Sequence, residues 1–224
     1  MPTDPPRVIC FDWGGVILRI CRNWREGCAA AGLPVRDGSD DPSMSARRHE
    51  LAELYQLGRL ACEEFCEQIA RTTTGLYTPD EIGRIHDAWL IAEYDGVAEL
   101  VEQLASNAPA ELGLLSNTNK RHYDRHRPTP DGRAPDFPTI ARLHHHIASH
   151  EIGASKPSDA IYRAFEDLTG VRGTEILFFD DLADNIASAR TLGWRAVQID
   201  HTADTAAQIR AALASHGIDL TSNA

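Results

Sequence analysis

Short continuous apolar runs alternate with amphipathic stretches over most of the chain. Val8, Ile9, Cys10 and Phe11 stand between a proline-rich start and the pair Gly14-Gly15, the pattern of a strand buried on both faces. Leu112 to Leu115, Glu175 to Phe179 and Ala196 to Ile199 read the same way, and Ile147 to Ser149 finishes a further short strand. Between these runs the apolar positions recur at helical spacing. Val97, Leu100, Val101 and Leu104 mark a helix over 96–106, and Ile161, Phe165 and Leu168 mark another that Gly170 stops. A third helix is closed by Gly193 and a last one spans 203–215. Strands spaced by helices imply a parallel sheet with right-handed crossovers. The expected fold class is therefore α/β, a Rossmann-like parallel sheet with helices on both faces.

Residues 19–94 break this alternation and read as helices only. Arg22 to Ala31 is stopped by Gly32 and Pro34, Ser45 to Leu57 carries Leu51, Leu54 and Leu57, and Cys62 to Thr72 carries Phe65, Cys66 and Ile69. Thr78-Pro79-Asp80-Glu81 supplies an N-cap, a proline in the first turn and a capping-box glutamate, and the helix it starts is expected to reach about Tyr94. The stretch 36–42, with three aspartates, reads as a loop. A small helical bundle at 19–94 is thus expected as a cap inserted into a core made of 1–18 and 95–224.

Composition narrows the partners. A formal net charge of −11 and a pI near 5.3 oppose binding to nucleic acid or anionic membranes. The five cysteines, at 10, 21, 28, 62 and 66, form no disulfide framework and fit a reducing cytosol. With no apolar signal segment and no membrane-length run, a cytoplasmic location is expected. Cys62 and Cys66 lie one helical turn apart but lack a histidine spaced to complete a metal site. His144, His145 and His146 alternate across a strand, so they do not converge on one ion.

Several polar groups fall at the carboxyl ends of the apolar runs, the edge where open α/β sheets bind ligands. Asp12 follows the first run, and Gly14 and Gly15 let the chain turn sharply and bring backbone N–H groups near an anion. Ser116-Asn117-Thr118-Asn119 ends the second, offering hydroxyl and amide groups. Lys156, one of only two lysines, stands where a loop meets a helix start. Asp180 and Asp181 end another run, and adjacent carboxylates at a strand end call for a neutralising cation. Each signal alone has an ordinary structural reading as a turn, a cap or a surface charge.

Together FDWGGVI, LLSNTN, the K-P-x-x-x-I-Y of Lys156 to Tyr162 and FFDDLADN resemble the haloacid dehalogenase superfamily from end to end, in its phosphatase branch with a helical cap. Sugar-phosphate phosphatases and the N-terminal phosphatase domain of soluble epoxide hydrolases are similar in pattern. The resemblance implies a Mg²⁺-dependent hydrolase of a small phosphorylated metabolite that works through an aspartyl-phosphate. Asp12 would be its nucleophile, Ser116 and Asn117 would hold the phosphoryl oxygens, and Lys156 would neutralise charge. Asp12, Asp181 and the Gly14 carbonyl would bind Mg²⁺ with Asp180 as a neighbouring acid, and Asn185 stands where relatives have a supporting aspartate. Gly14 and Gly15 would line the phosphate site. One departure matters: most phosphatases of the superfamily carry an acid–base aspartate two residues after the nucleophile, and here that position is Gly14, as it also is in some members of the sugar-phosphate type. Help of this kind is worth about 10²- to 10⁴-fold in rate, so the resemblance leaves open both an enzyme for good leaving groups and a weakened binding or regulatory relative. Phosphonoacetaldehyde hydrolases need a cap lysine that is missing here, and metal-free dehalogenases lack the paired acids. Trp24, Tyr55, His86 and Trp89 are candidates for the cap-facing wall, with ordinary helix packing as the simpler reading.

Overall fold

The computed structural model describes residues 4–39, 41–218 and 220. The outer ends of the expected core segments, Asp219 and Asp40 of the polar stretch, lie outside the described residues. Five parallel strands form the main sheet: β1 (Val8–Phe11), β4 (Glu111–Ser116), β5 (His145–Ala148), β6 (Ile176–Asp180) and β7 (Arg195–Gln198). Their order is β5-β4-β1-β6-β7, so the first apolar run sits at the centre. Alternation along each strand explains why the runs are unbroken. Ile9 and Phe11 join Leu177 and Phe179 in one cluster with α5 (Val97–Asn107) and α10 (Thr205–Ser215). Val8 and Cys10 join Ile176 and Phe178 in another with α8 (Asp159–Thr169) and α9 (Ala183–Thr191). Phe11 and Phe179 stack at 5.5 Å on the first face.

Four helices follow one another between residues 24 and 87: α1 (Trp24–Ala30), α2 (Pro42–Gln56), α3 (Cys62–Thr72) and α4 (Pro79–Asp87). They build a third cluster of their own around Leu51, Tyr55, Phe65, Ile69 and Ile85. The second helix begins three residues earlier than the pattern predicts, because Asp41 caps Ser43 and Pro42 supplies the first turn. The Thr78 capping box is formed.

The fourth helix ends early. Ala88 caps it, and β3 (Leu90–Glu93) pairs antiparallel with β2 (Leu18–Ile20). The bonds Cys21 N–H to Trp89 O (2.9 Å) and Tyr94 N–H to Ile17 O (2.9 Å) extend this ribbon, which carries the chain into and out of the helices. A short apolar run serves helix or strand equally, and the partner that decides it lies about seventy residues away.

Two short helices complete the seam between bundle and sheet, α6 (Lys120–Tyr123) and α7 (Ser149–Ile152). The Ser149 hydroxyl lies 2.7 Å from the Gln56 carbonyl of α2, and Arg121 of α6 forms a two-pronged ion pair with Asp87 of α4. Among the described residues no helix is long and apolar enough to cross a membrane, and all five cysteines are free thiols.

Candidate active site

The sheet brings Asp12, Lys156, Asp180 and Asp181 to one carboxyl edge. All four are buried although all are ionisable, and burial of this kind requires pairing. Lys156 Nζ lies 2.8 Å from Asp12 Oδ1 and 2.7 Å from Asp180 Oδ2. Asp12 Oδ1 also accepts from the Trp13 N–H at 2.7 Å, so Oδ1 is held twice and Oδ2 is left for other partners. Burial, resisted by Lys156 and reinforced by Asp180, pushes the Asp12 carboxyl up to about 7. Lys156 is held above its ordinary range, burial being outweighed by its two carboxylate partners.

The expectation of one cation shared by Asp180 and Asp181 changes in detail. Each acid has its own cationic side chain. Asp180 takes Lys156, the Leu182 N–H at 2.8 Å and the Asn185 amide, which lies 3.0 Å from both oxygens. Asp181 Oδ2 takes Arg22 Nη1 at 2.7 Å, with His201 Nδ1 at 3.5 Å. The adjacent carboxylates therefore point to different partners and their repulsion is already offset. Arg22, in the connection from β2 to α1, is a site residue the sequence does not signal, since its partner is 159 positions away.

The two glycines differ. Gly15 has φ of +88°, and a Cβ there would fall 2.4 Å from Asp181 Cγ, so a side chain is excluded by both strain and space. Gly14 is outside the left-handed region, and its Cβ would meet the Ile20 side chain, most closely Cδ1 at 3.0 Å with Cγ2 at 3.6 Å.

Ser116 ends β4, buried beside a cavity of about 400 Å³. Asn117 departs from the expected role for its side chain. Its amide donates to the Lys156 carbonyl and accepts from the Lys156 N–H, both at 2.8 Å, which fixes the loop that carries the lysine. Both ends of the amide are thus engaged by the Lys156 backbone. The cavity runs from Trp13, Gly14, Ser116 and Asn117 to the bundle, where Trp24, Tyr55, His86 and Trp89 all line it. The histidines of β5 lie elsewhere, with His145 on Glu111 and His146 on the Tyr123 hydroxyl.

At the seam, His86 of α4 stacks on His122 of α6 with ring centres 3.8 Å apart, and Asn119 contacts both. Burial holds His86 well below its ordinary range, helped by His122, and brings His122 down to about 4. Arg121, Arg125 and Asp87 are the charges facing the pair. A histidine neutral in the folded state and protonated in the unfolded one costs stability as pH falls from about 6.5 towards 4. For His122 the loss is expected to reach about 2 to 3 kcal/mol at pH 4. Urea unfolding of wild type and His122→Gln between pH 7.5 and 4 checks this. The variant should show the shallower pH slope, and parallel slopes would place the acid sensitivity elsewhere.

Asp12, Asp180 and Asp181 each offer a carboxylate oxygen within 4.8 Å of the others. Three hard, buried oxygen donors fit Mg²⁺ or a similar cation.

A family model described as haloacid dehalogenase-like hydrolase matches residues 6–193. The chain is 26% identical over 201 residues to a D-ribitol-5-phosphate phosphatase of Bacteroides thetaiotaomicron, covering 88% of this chain and 93% of that one. It is 42% identical over 59 residues to the phosphatase MT3486 of Mycobacterium tuberculosis, a match spanning 26% of this chain and 27% of that protein. Among solved structures, a haloacid dehalogenase family enzyme of B. thetaiotaomicron superposes with a TM-score of 0.74 at 18% identity, covering 92% of this chain and all of that one. The same enzyme in complex with magnesium and inorganic phosphate gives 0.72 at 19% identity, with the same coverage. A haloacid dehalogenase-like hydrolase of Porphyromonas gingivalis gives 0.70 at 24%, covering 93% and 98%. With the family model spanning most of its length, the chain belongs to the haloacid dehalogenase-like hydrolases.

Proposed function

We propose that this protein is a Mg²⁺-dependent phosphatase of a small phosphorylated metabolite, with Asp12 as nucleophile and residues 19–94 as the cap over the site. The observation that carries this reading is the Asp12–Lys156–Asp180 row at the sheet edge, next to a cavity that Trp13, Gly14, Ser116 and Asn117 line. Asp12 Oδ1 is held by Lys156 and the Trp13 N–H, which aims Oδ2 at phosphorus. Attack forms the Oδ2–P bond as the bond to the leaving oxygen breaks. Lys156 spreads the charge that builds on Asp12 and the phosphoryl group. Water then releases phosphate and restores the carboxylate. Asp12 and Asp181 would hold Mg²⁺ with help from the Gly14 carbonyl, and Asp180, already engaged, would chiefly position Lys156. When bound, the cation offsets the negative charge of phosphate and carboxylates.

The two relatives named as phosphatases support the reaction class. A regulatory binding role remains the second reading, favoured by Gly14, which removes the acid–base group while leaving the charged row complete.

Phosphate release from a panel of phosphate monoesters and acetyl phosphate separates the two. Turnover is expected with Mg²⁺, loss with chelator and recovery on adding the cation back. Mg²⁺ at about 100 times its Kd should also raise stability by about 2.7 kcal/mol. Stabilisation by Mg²⁺ without turnover of any ester would favour the binding role.

A further inference from the structure

The apolar clusters stop at the junction between bundle and sheet. Leu51, Tyr55, Phe65, Ile69 and Ile85 pack among α1 to α4, and among the described residues none of that cluster belongs to the two clusters flanking the sheet. Polar contacts join the two bodies. Arg121 pairs with Asp87 and donates to the Cys62 sulfur at 3.1 Å, Arg125 Nη1 donates to the Asp87 carbonyl at 2.7 Å, and the Ser149 hydroxyl reaches the Gln56 carbonyl. A junction with few shared apolar contacts opens at a lower free energy than a common core does.

The His86–His122 stack stands in this junction, and its hydrogen bonds fit neutral rings. Asn119 Oδ1 caps α6 by accepting the His122 backbone N–H at 3.0 Å, which fixes the orientation of the amide. Its Nδ2 donor therefore faces His122 Nδ1 at 3.3 Å, so Nδ1 is an acceptor without a proton. The other ring nitrogen, Nε2, donates to the His86 carbonyl at 2.7 Å. His86 Nε2 in turn lies 3.4 Å from the Asn119 oxygen and donates to it. A second proton on His122 would set N–H against N–H at Asn119, and turning the amide over would give up the helix cap.

The surroundings oppose that proton as well. The His86 ring lies 3.8 Å away, with Tyr55 of α2 and Phe65 of α3 packed on its other contacts. The charges facing the pair are Arg121 and Arg125 from the sheet side and Asp87 of α4, and Asp87 is already paired with Arg121. His86, Asn119, His122, Tyr55 and Phe65 all line the cavity, so a gap at this junction is an opening into it.

We propose that the His86–Asn119–His122 cluster is a proton-sensitive latch between bundle and sheet, closed while both rings are neutral, so that acid opens the cavity at this seam before it unfolds the sheet. The latch uses none of the groups assigned to the chemistry at Asp12. With His122 titrating at about 4 when packed and near 6.5 when released, the opening equilibrium should rise about 30-fold between pH 7.5 and 5. His86, also held low by burial, adds to the rise in the same direction.

Fluorine NMR of the protein carrying 5-fluorotryptophan reads both bodies at once. Trp13, Trp24 and Trp89 line the cavity, whereas Trp194 is buried in a sheet cluster. Saturation transfer at the three cavity tryptophans should report an open population about 30-fold larger at pH 5 than at pH 7.5, with Trp194 unchanged. His122→Gln keeps a donor for the His86 carbonyl but gains no proton, and should lose most of the response. Asn119→Asp keeps the helix cap and offers the charged ring an acceptor, so it should hold the seam closed to lower pH. Cavity resonances that do not respond to pH, or that change only together with Trp194, would overturn the latch. So would an acid response unchanged in both variants, which would place the trigger among His126, His146 and His150 around Tyr123.

Discussion

Asp12→Asn is expected to lower phosphate release by at least about 10⁴-fold while leaving the fold in place. The amide matches the carboxylate in shape but is a poor nucleophile, and loss of a covalent catalyst ranks among the largest single-residue effects in enzymes. The structure says why the variant should still fold. Lys156 keeps Asp180 at 2.7 Å, itself held by Asn185 and the Leu182 N–H, so no buried cation is stranded. The Asn oxygen can still accept from the Trp13 N–H. The measurement is kcat for the best ester of the panel, with a melting curve beside it. Turnover near the wild-type rate in a folded variant would remove Asp12 from the chemistry. An unfolded variant would show that the buried charge row needs all its members, and Asp12→Glu, which keeps the charge but moves the oxygen, would then replace it.

The centre of the parallel core is legible in the sequence because β4, β1 and β6 are buried on both faces and appear as apolar runs, whose polar ends mark the sheet edge, whereas the edge strands β5 (HHIA) and β7 (RAVQ) are only partly buried and leave a weaker pattern. Asp12, Lys156, Asp180 and Asp181 converge as that pattern implies. The ribbon of β2 and β3 is not legible. Leu90 to Glu93 has no alternation long enough to separate strand from helix, and hydrogen bonding to Leu18–Ile20 decides it. Pairings between distant side chains are equally hidden. Nothing local to Arg22 announces Asp181, and nothing in the strand-end Asn117 distinguishes a phosphoryl contact from a clamp on Lys156. The adjacent acids imply that a neutralising cation is needed. The structure supplies protein cations first, one to each carboxylate, because the acids end the strand facing different neighbours.

Gly14→Asp is expected to raise kcat/KM for alkyl phosphates by about 10²-fold or more while changing aryl and acetyl phosphates little. An acid at this position would protonate the leaving oxygen, help typically worth about 10²- to 10⁴-fold and felt most by the most basic leaving groups. The backbone admits the change. Gly14 lies outside the left-handed region, unlike Gly15 at φ +88°, so a side chain there carries no penalty of that kind. Its Cβ would meet Ile20 Cδ1 at 3.0 Å, the free end of a flexible side chain that can turn aside. Gly14→Asn is the matched control, with nearly the same volume and no proton to give. The readout is log kcat/KM against leaving-group pKa for wild type and both variants: a steep slope for wild type and Asn, a shallow one for Asp. Equal shallow slopes in all three would mean that another group already supplies the proton. His86, the cavity-lining histidine of α4, would be the first to test, by His86→Phe. A steep slope that Gly14→Asp fails to flatten, in a folded protein, would show that this position does not reach the leaving oxygen, and the preference for good leaving groups would need a different origin.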